Sequence, residues 1–214
     1  MYKYILFDLD GTLTDPEEGI LNSVVYALNK FDIKVEDKFS LRPFIGPPLN
    51  ESFTKYYGFD DEKAKLAVEY YREYFGEIGL FENKVFPGAA ELLETLKSLN
   101  KTVMLATSKP EIYTFKILEK FDLIKYFDVI AGATLDYSRV KKADVIKYAL
   151  SKIEGIDLNS TIMVGDREHD VIGAKANGIK AVGVTFGYGS REELESHGAD
   201  YVVDDIKSLT DLLK

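Results

Sequence analysis

The stretch FDLDGTLTD, residues 7–15, decides how the rest of the chain is interpreted. It follows YKYILF, residues 2–7, an apolar run that predicts a fully buried strand. A buried strand that ends in several carboxylates must either expose those charges to water or use them. Because Asp-Gly pairs are common in turns, Asp8 and Asp10 alone fit a solvated turn as well as a functional site.

A calcium-binding EF-hand loop also begins with Asp-x-Asp, but the positions that follow do not fit one. Such a loop needs glycine at its sixth position and glutamate at its twelfth. With Asp8 as the first position, these places hold Leu13 and Gly19. The aspartates must therefore be explained by their relation to the rest of the chain.

The composition disfavours several classes of function. The chain has 214 residues, which fits one medium domain with or without a smaller insertion. Its formal charge of -9 disfavours nucleic acid and anionic membranes as partners. The absence of cysteine excludes disulfides, zinc–thiolate sites and a cysteine nucleophile.

The sequence also predicts where the protein acts. Its N-terminus lacks the long apolar segment and cleavage site of a signal peptide. No run approaches the roughly 18–20 apolar residues that span a bilayer. We therefore expect a soluble, cytoplasmic protein, a monomer or weak dimer, whose partner is a small molecule.

The periodicity of apolar residues changes along the chain and predicts two domains. From about residue 15 to 84 it is only helical, with Asp15 as the expected N-cap of the first helix and Glu18 completing a capping box. RPFIGPPLN, residues 42–50, predicts a loop within this part. Later, strands alternate with helices, which predicts a doubly wound parallel α/β sheet. We expect an α/β core, 1–14 and 85–214, with a helical insertion at 15–84.

Polar residues follow several predicted strands at their carboxyl ends, where parallel sheets bind ligands. Each has an ordinary alternative, since turns, helix caps and solvated charges use the same residue types. Their joint placement at strand ends favours a common site. They are Asp8 and Asp10 after strand 2–7, Thr107, Ser108 and Lys109 after 102–106, Lys141 and Lys142 beyond 128–132, and Asp166 and Asp170 after 161–165.

Several carboxylates at one edge of a sheet indicate a bound cation. Like charges this close do not all stay ionised without one, and Mg²⁺ prefers a few carboxylates together with water and phosphate oxygens. The Thr107 hydroxyl and a lysine ammonium are suitable donors to a phosphate group. One carboxylate can attack phosphorus to form an aspartyl-phosphate, and a second, two residues along, can transfer protons.

Other catalytic motifs are absent from the sequence. GVTFGYGS, residues 183–190, is rich in glycine but matches neither a P-loop nor a dinucleotide-binding fingerprint. There is no G-x-S-x-G elbow. His169 and His197 are too few and too distant in sequence to indicate a histidine metal site.

The motifs together resemble those of the haloacid dehalogenase (HAD) superfamily of phosphohydrolases. FDLDGTLTD is similar to its first motif, VMLATSK to the second, a later lysine to the third and VGDREHD to the fourth. Their order and separation match across essentially the whole chain. The resemblance implies a Rossmann-like core with an inserted α-helical cap, in the branch of phosphoglycolate phosphatase-like and 5′-nucleotidase-like proteins.

The resemblance also implies roles for the aspartates. It makes Asp8 the nucleophile and a Mg²⁺ ligand. It makes Asp10 the general acid and base, whose backbone carbonyl also binds the metal. Asp166 is implied as a further ligand, while Asp170 acts through water or behind another ligand.

The phosphate-binding residues are implied in the same way. Thr107, with its neighbour Ser108, corresponds to the second motif and would bind the transferring phosphoryl group. Lys142 is preferred as the third-motif lysine because it directly precedes a predicted helix, and Lys141 is the alternative. Many relatives have Lys-Pro at this point, whereas this chain has SRVKKADVI.

The implied substrate is a small phosphorylated metabolite, a phosphomonoester of the phosphoglycolate or nucleoside 5′-monophosphate type. Arg42 and Arg139 are candidates to contact it, with a surface arginine as the alternative for each. Dehalogenases of the superfamily lack the second aspartate, so Asp10 favours phosphorus chemistry. The alternatives are a sugar phosphomutase, a phosphonatase with a cap lysine, a pyrophosphatase or phosphotyrosine phosphatase on the same scaffold, and a metal-binding module without catalysis.

Overall fold

A computed structural model gives the structure of the chain and describes residues 2–136 and 138–214. The chain forms two compact units, an α/β unit of Met1–Asp15 with Val85–Lys214 and a helical unit of Pro16–Lys84. The sequence placed the boundary one residue earlier, with Asp15 in the helical insertion. In the structure Asp15 belongs to the α/β unit.

The strands in the described residues are short, and most of them belong to one sheet. The first is buried along its whole length, because a parallel sheet with helices packed against it hides every side chain of its central strands. The strands are β1 Tyr4–Phe7, β2 Thr14–Asp15, β3 Lys84–Val85, β4 Thr102–Pro110, β5 Val129–Ala133, β6 Thr161–Gly165, β7 Lys180–Val184 and β8 Tyr201–Val203.

The α-helices divide between the two units. Those of the helical unit are α1 Glu17–Asn29, α2 Leu49–Tyr57 and α3 Asp61–Glu77. Those of the α/β unit are α4 Ala89–Ser98, α5 Glu111–Lys120, α6 Lys142–Leu150, α7 Glu168–Ala176, α8 Arg191–Ser196 and α9 Ile206–Leu213. In the part of the chain that the structure describes, no helix is both long enough and apolar enough to cross a membrane.

The main sheet has the strand order β5-β4-β1-β6-β7-β8, and its paired strands are parallel. The predicted doubly wound α/β fold is confirmed, because later strands are added on both sides of β1. Phe7, the last residue of β1, lies opposite Leu105 of β4 and Val164 of β6. The residues that follow β1 therefore lie between the end of β4 on one side and the residues that follow β6 on the other.

The predicted loop at 42–50 is wrong in part. Residues Lys38–Phe44 form a 3-10 helix, and α2 begins at Leu49 directly after Pro48. A proline just before a helix is compatible with helix initiation, so Pro48 marks the start of α2 rather than a longer loop. Phe53 of α2 is fully buried and its ring lies 5.1 Å from that of Phe44.

The predicted capping role of Asp15 is also wrong. The N-cap of α1 is Pro16, which makes no side-chain cap, so the expected capping box with Glu18 does not form. Asp15 instead lies in the extended strand β2, and its Oδ1 accepts a 2.5 Å hydrogen bond from the Tyr188 hydroxyl. Local rules assign the Asp15 carboxylate to the helix N-terminus, but it instead accepts a hydrogen bond from Tyr188, 173 residues away in sequence.

Candidate active site

Asp8 lies just beyond the central strand, where a buried lysine contacts it. Its backbone N–H donates to the Val164 carbonyl of β6 at 2.9 Å, which fixes the start of the loop. The Lys142 ammonium lies 2.7 Å from Asp8 Oδ1 and 2.8 Å from Asp170 Oδ1. It also donates to the carbonyl of Ala106 at 3.2 Å. One ammonium thus joins two carboxylates at the carboxyl ends of the strands.

The two candidate lysines of the third motif differ in burial. Lys142, the first residue of α6, is only 7% exposed. Lys141 precedes the helix as its N-cap and is exposed. The structure therefore brings Lys142 to Asp8, and this placement supports the preference for Lys142 that the sequence suggested.

Asp166 lies directly after β6 and is completely buried. The Thr12 hydroxyl donates to its Oδ1 at 3.4 Å, and the backbone N–H of Tyr188 donates to its Oδ2 at 2.8 Å. Gly11 packs against the same carboxylate with a φ of +82°, and a Cβ there would lie 2.2 Å from Asp166 Oδ2. Glycine is required after Asp10 both by this backbone conformation and by the lack of space.

Asp170 lies in the first turn of α7 and completes the carboxylate cluster. Its Oδ2 accepts the Arg167 backbone N–H at 3.1 Å, while Oδ1 faces Lys142. Asp8, Asp166 and Asp170 each place one carboxylate oxygen within 4.8 Å of the others. Carboxylate oxygens in this arrangement are the ligands that hard divalent cations such as Mg²⁺ prefer.

The pKa values of Asp166, Asp170 and Lys142 are all raised from their ordinary values. Burial raises the pKa of Asp170 to about 6, with Lys142 opposing the rise and Asp8 adding to it. Burial also raises the pKa of Asp166 well above its ordinary value, and the charges of Asp170 and Asp8 add to that shift. Burial alone would lower the pKa of Lys142, but Asp170 and Asp8 outweigh it and raise the pKa. A cation among these carboxylates would relieve their repulsion.

A second lysine–aspartate pair lies beside the cluster. The Lys109 ammonium lies 2.8 Å from Asp10 Oδ2, and the Lys109 backbone N–H donates to Thr107 Oγ1 at 3.2 Å. Thr107 and Lys109 are both buried in the last part of β4, where its register against β5 shifts. Burial raises the pKa of Asp10, and the charge of Lys109 opposes that rise.

The remaining sequence candidates have different surroundings. Ser108 lies next to Thr107 and is half-buried. The Arg139 guanidinium contacts Glu111, donates through Nε to the Gly132 carbonyl at 2.8 Å and lies over the ring of Tyr148. These contacts join α5, β5 and α6.

Arg42 lies in the helical unit. It is paired there with Glu17, and its side chain is 59% exposed. Contact of Arg42 or Arg139 with a substrate stays a prediction.

Thr12, Lys109 and Tyr188 contact the aspartates but were given no role from the sequence. Lys109 was visible as the last residue of VMLATSK, but a lysine after a strand gives no sign of its partner. Tyr188 lies in the glycine-rich stretch 183–190 that matched no known motif. That stretch begins within β7 and continues past its carboxyl end, and β7 pairs with β6; this position is the signal that points to Asp166.

A doubly wound sheet with carboxylates, a buried lysine and a hydroxyl at the ends of its central strands defines a class of enzyme that acts on phosphate groups. Comparison with protein families gives the same answer. A protein family described as "Haloacid dehalogenase-like hydrolase" matches residues 5–184. The chain belongs to this family.

Individual relatives match nearly the whole chain. A 5′-nucleotidase of Pseudomonas aeruginosa is 44% identical over 213 residues, covering 100% of this chain and 96% of the relative. The tyrosine-protein kinase PtkA of Mycobacterium tuberculosis is 38% identical over 193 residues, covering 90% of this chain and 65% of the relative. Further relatives are named phosphoglycolate phosphatase.

Solved structures confirm the fold. The crystal structure of a predicted phosphatase from Clostridium acetobutylicum matches with a TM-score of 0.94 and 51% identity, covering 100% of this chain and 98% of that chain. The family and these phosphatases together make the protein a phosphatase of the HAD type.

Proposed function

We propose that the protein hydrolyses a small phosphomonoester with the help of Mg²⁺ and through an aspartyl-phosphate on Asp8. One observation carries the proposal. Three carboxylates from the ends of β1 and β6 and from α7 approach within 4.8 Å, and a buried ammonium lies against two of them. Stability alone gives no reason to bury like charges together, since each must be desolvated.

Asp8, Asp166 and the backbone carbonyl of Asp10 would hold the metal, with Asp170 acting through water or behind another ligand. Their fit rests on the clustered carboxylate oxygens. Burial raises the pKa of Asp166 and of Asp170, and the charge of Asp8 adds to the rise in both, so a cation among them would favour their ionised forms. When bound, Mg²⁺ supplies positive charge that neutralises the phosphoryl oxygens and the carboxylates around them. Binding would also let a protein of formal charge -9 accept an anionic substrate.

Asp8 is the nucleophile in this proposal. Its carboxylate oxygen forms a bond to phosphorus while the bond from phosphorus to the ester oxygen breaks. Lys142 lies 2.7 Å from Asp8 and therefore reaches the phosphoryl oxygens during transfer. The Thr107 hydroxyl, at the adjacent strand end, donates to another phosphoryl oxygen, and Ser108 is a further candidate donor.

Asp10 moves the protons. It gives a proton to the leaving ester oxygen, so that the alcohol departs neutral and Asp10 becomes a carboxylate. It then takes a proton from water while the water oxygen bonds to phosphorus and the Asp8–phosphorus bond breaks. Phosphate leaves, and both aspartates return to their starting states.

The substrate class is proposed from the relatives. The relative from Pseudomonas aeruginosa is named a 5′-nucleotidase and others are named phosphoglycolate phosphatase. We propose a small soluble metabolite with one phosphate ester. A phosphoryl transfer to a second acceptor is the alternative, and the 38% identity to a protein named a tyrosine kinase favours testing it.

A phosphate-release panel tests the proposal. It contains phosphoglycolate, nucleoside 5′-monophosphates, sugar phosphates, pyrophosphate and phosphotyrosine, each with Mg²⁺ and with EDTA. We expect Mg²⁺-dependent release from a monoester in the first two groups. Release that EDTA leaves unchanged would contradict the metal requirement.

The same panel, repeated with an added tyrosine peptide as a second acceptor, addresses the alternative. Conversion of a sugar phosphate into its isomer without free phosphate, or transfer of phosphate to a tyrosine peptide in place of water, would contradict hydrolysis. A matched sample of the Asp8→Asn protein controls for contaminating phosphatases.

A further inference from the structure

The two carboxylate oxygens of Asp10 have different surroundings. Oδ2 lies 2.8 Å from the Lys109 ammonium, and the Lys109 side chain is only 5% exposed. Oδ1 is also buried, yet no described residue gives it a hydrogen bond. A buried carboxylate oxygen without a donor loses free energy unless a ligand or a reacting group supplies one.

Lys109 reaches Asp10 from the same strand end that carries Thr107. The two residues are two positions apart in β4, so their side chains point to the same side of an extended segment. The hydrogen bond from the Lys109 backbone N–H to Thr107 Oγ1, at 3.2 Å, ties them together. The Lys109 side chain therefore contacts Asp10 from a fixed position on β4, whereas Lys142 contacts Asp8 and Asp170.

The two buried lysines serve separate aspartates. Lys142 contacts Asp8 and Asp170, the carboxylates of the cation cluster. Lys109 contacts the carboxylate of Asp10, which is not one of the clustered carboxylates, since Asp10 would bind the metal only through its backbone carbonyl. The chain thus contains two ammonium groups at one edge of the sheet, and only Lys142 has a role in the mechanism described so far.

We propose that Lys109 is a positioning residue that holds Asp10 by Oδ2 and leaves Oδ1 as the oxygen that transfers the proton. This inference rests on the proposed function of Asp10. A general acid must lie within hydrogen-bond reach of the atom it protonates. Without Lys109 the carboxyl group can rotate about its Cβ–Cγ bond, and Oδ1 is no longer held toward the reacting ester.

The proton balance follows from this geometry. As the bond from phosphorus to the ester oxygen breaks, its electron pair stays on the ester oxygen and the Asp10 Oδ1 proton moves to that oxygen. Asp10 is then a carboxylate held by Lys109 through Oδ2. In the second step Oδ1 takes a proton from the water whose oxygen attacks phosphorus.

Two esters with different leaving groups separate positioning from other roles. p-Nitrophenolate is a stable anion and leaves without a proton, whereas an alkoxide is a poor leaving group and needs a proton from the general acid. The value of kcat/KM reports the first irreversible step, the transfer of the phosphoryl group to Asp8. Lys109→Met is therefore measured on p-nitrophenyl phosphate and on the best alkyl phosphate from the panel, both with Mg²⁺.

We expect Lys109→Met to lower kcat/KM for the alkyl phosphate by about 100-fold, within the range of general acid catalysis, and for p-nitrophenyl phosphate by less than about 5-fold. Lys109→Arg should recover part of the loss, because a guanidinium can also hold Oδ2. The control is Lys97→Met, which removes a lysine paired with Asp128 at 2.6 Å on the surface of the same unit. It should change neither value.

Equal losses on both esters would overturn the proposal, since they would show that Lys109 binds the phosphoryl group or supports the fold. No loss on either ester would also overturn it. If Lys109→Met does not fold, Lys109→Gln and Lys109→Arg carry the same comparison. If the wild-type protein hydrolyses neither ester, the proposed function fails instead, which distinguishes the two failures.

Discussion

The two units of the molecule bury different kinds of side chain. In the described part of the helical unit, the buried polar residues are Ser23 and Ser52, and the core is apolar and rich in aromatic rings. In the described part of the α/β unit, all the buried charged residues except Lys101, which precedes β4, lie at or beside the carboxyl ends of the strands: Asp8, Lys109, Lys142, Asp166 and Asp170. Burying charge costs free energy, and among the described residues this cost falls on the α/β unit alone. The helical unit is therefore packed for stability, whereas the α/β unit also holds the groups that do the chemistry.

The largest effect is expected at the nucleophile. Asp8→Asn should lower kcat by more than about 10⁴-fold, because an amide cannot form the covalent intermediate. The measurement is phosphate release with Mg²⁺, alongside a far-UV spectrum and thermal unfolding to show that the variant is folded. Near-wild-type activity of a folded Asp8→Asn protein would contradict the account.

Lys142→Met should affect stability as well as activity. Removing one partner of a buried ion pair leaves charge uncompensated, so we expect the free energy of unfolding to fall by about 3–5 kcal/mol without metal. Mg²⁺ should restore part of the loss, because it can neutralise Asp8 and Asp170. Denaturant titrations with EDTA and with Mg²⁺ measure both values. If Lys142→Met lowers the free energy of unfolding no more than the surface variant Lys97→Met does, the buried Lys142 contacts do not stabilise the fold as expected.

Phe53→Ala tests the opposite side of the comparison. Phe53 is fully buried among the rings of Phe44 and Phe59 in the helical unit. The cavity should lower the free energy of unfolding by about 3–5 kcal/mol. Mg²⁺ affinity, measured by calorimetry below the unfolding range, should stay unchanged. Weaker Mg²⁺ binding in the folded variant would show that Mg²⁺ affinity depends on the packing of the helical unit, which would contradict the comparison.

The stability of the metal-free protein should depend on pH. The pKa of Asp170 is about 6 in the folded protein against an ordinary 3.8, so the folded state binds this proton more tightly than the unfolded state. The resulting stabilisation is present below pH 3.8 and is lost as pH rises toward 6. Mg²⁺ binds the ionised carboxylates, so its stabilisation should grow over the same range.

Thermal unfolding at several pH values, with EDTA and with Mg²⁺, measures this difference. The gap between the two melting temperatures should widen from about pH 4 to about pH 7. A gap that is constant with pH would mean that the buried carboxylates do not bind the metal. The same series with Asp170→Asn should show a weaker pH dependence.

The smallest effect is expected at Tyr188. Tyr188→Phe removes the hydroxyl that donates to Asp15, which should lower the free energy of unfolding by about 1 kcal/mol. The backbone N–H that donates to Asp166 remains, so Mg²⁺ affinity should not change. A large loss of Mg²⁺ affinity would show that the side chain, and not only the backbone, supports the site.

The sequence predicted the fold and the aspartates because both depend on local patterns. Alternating strands and helices predict a parallel sheet, and Asp8 and Asp166 directly follow strands whose carboxyl ends meet. The preference for Lys142 came from its expected place directly before a helix, whereas in the structure it is the first residue of α6 and Lys141 directly precedes the helix. Each of these inferences needs only the order of elements along the chain.

The features that the sequence did not predict depend on distant partners. Asp15 fits every local rule for an N-cap, but its carboxylate contacts Tyr188. The pairing of Lys109 with Asp10 joins residues that are distant in sequence. The start of α2 at Leu49 was not predicted, because it follows glycine and two prolines, and these residues were interpreted as a loop. Proline also occurs where helices begin.

The stereochemical course at phosphorus tests the central claim most directly. The phosphoryl group of a phosphate ester is made chiral with three oxygen isotopes and is transferred to an added alcohol, so that the product is again a chiral phosphate ester. Two successive in-line displacements, the first by Asp8 and the second by the acceptor, each invert the configuration. Two inversions give overall retention, which is the expected result. Overall inversion would show a single direct displacement and would contradict an aspartyl-phosphate on Asp8.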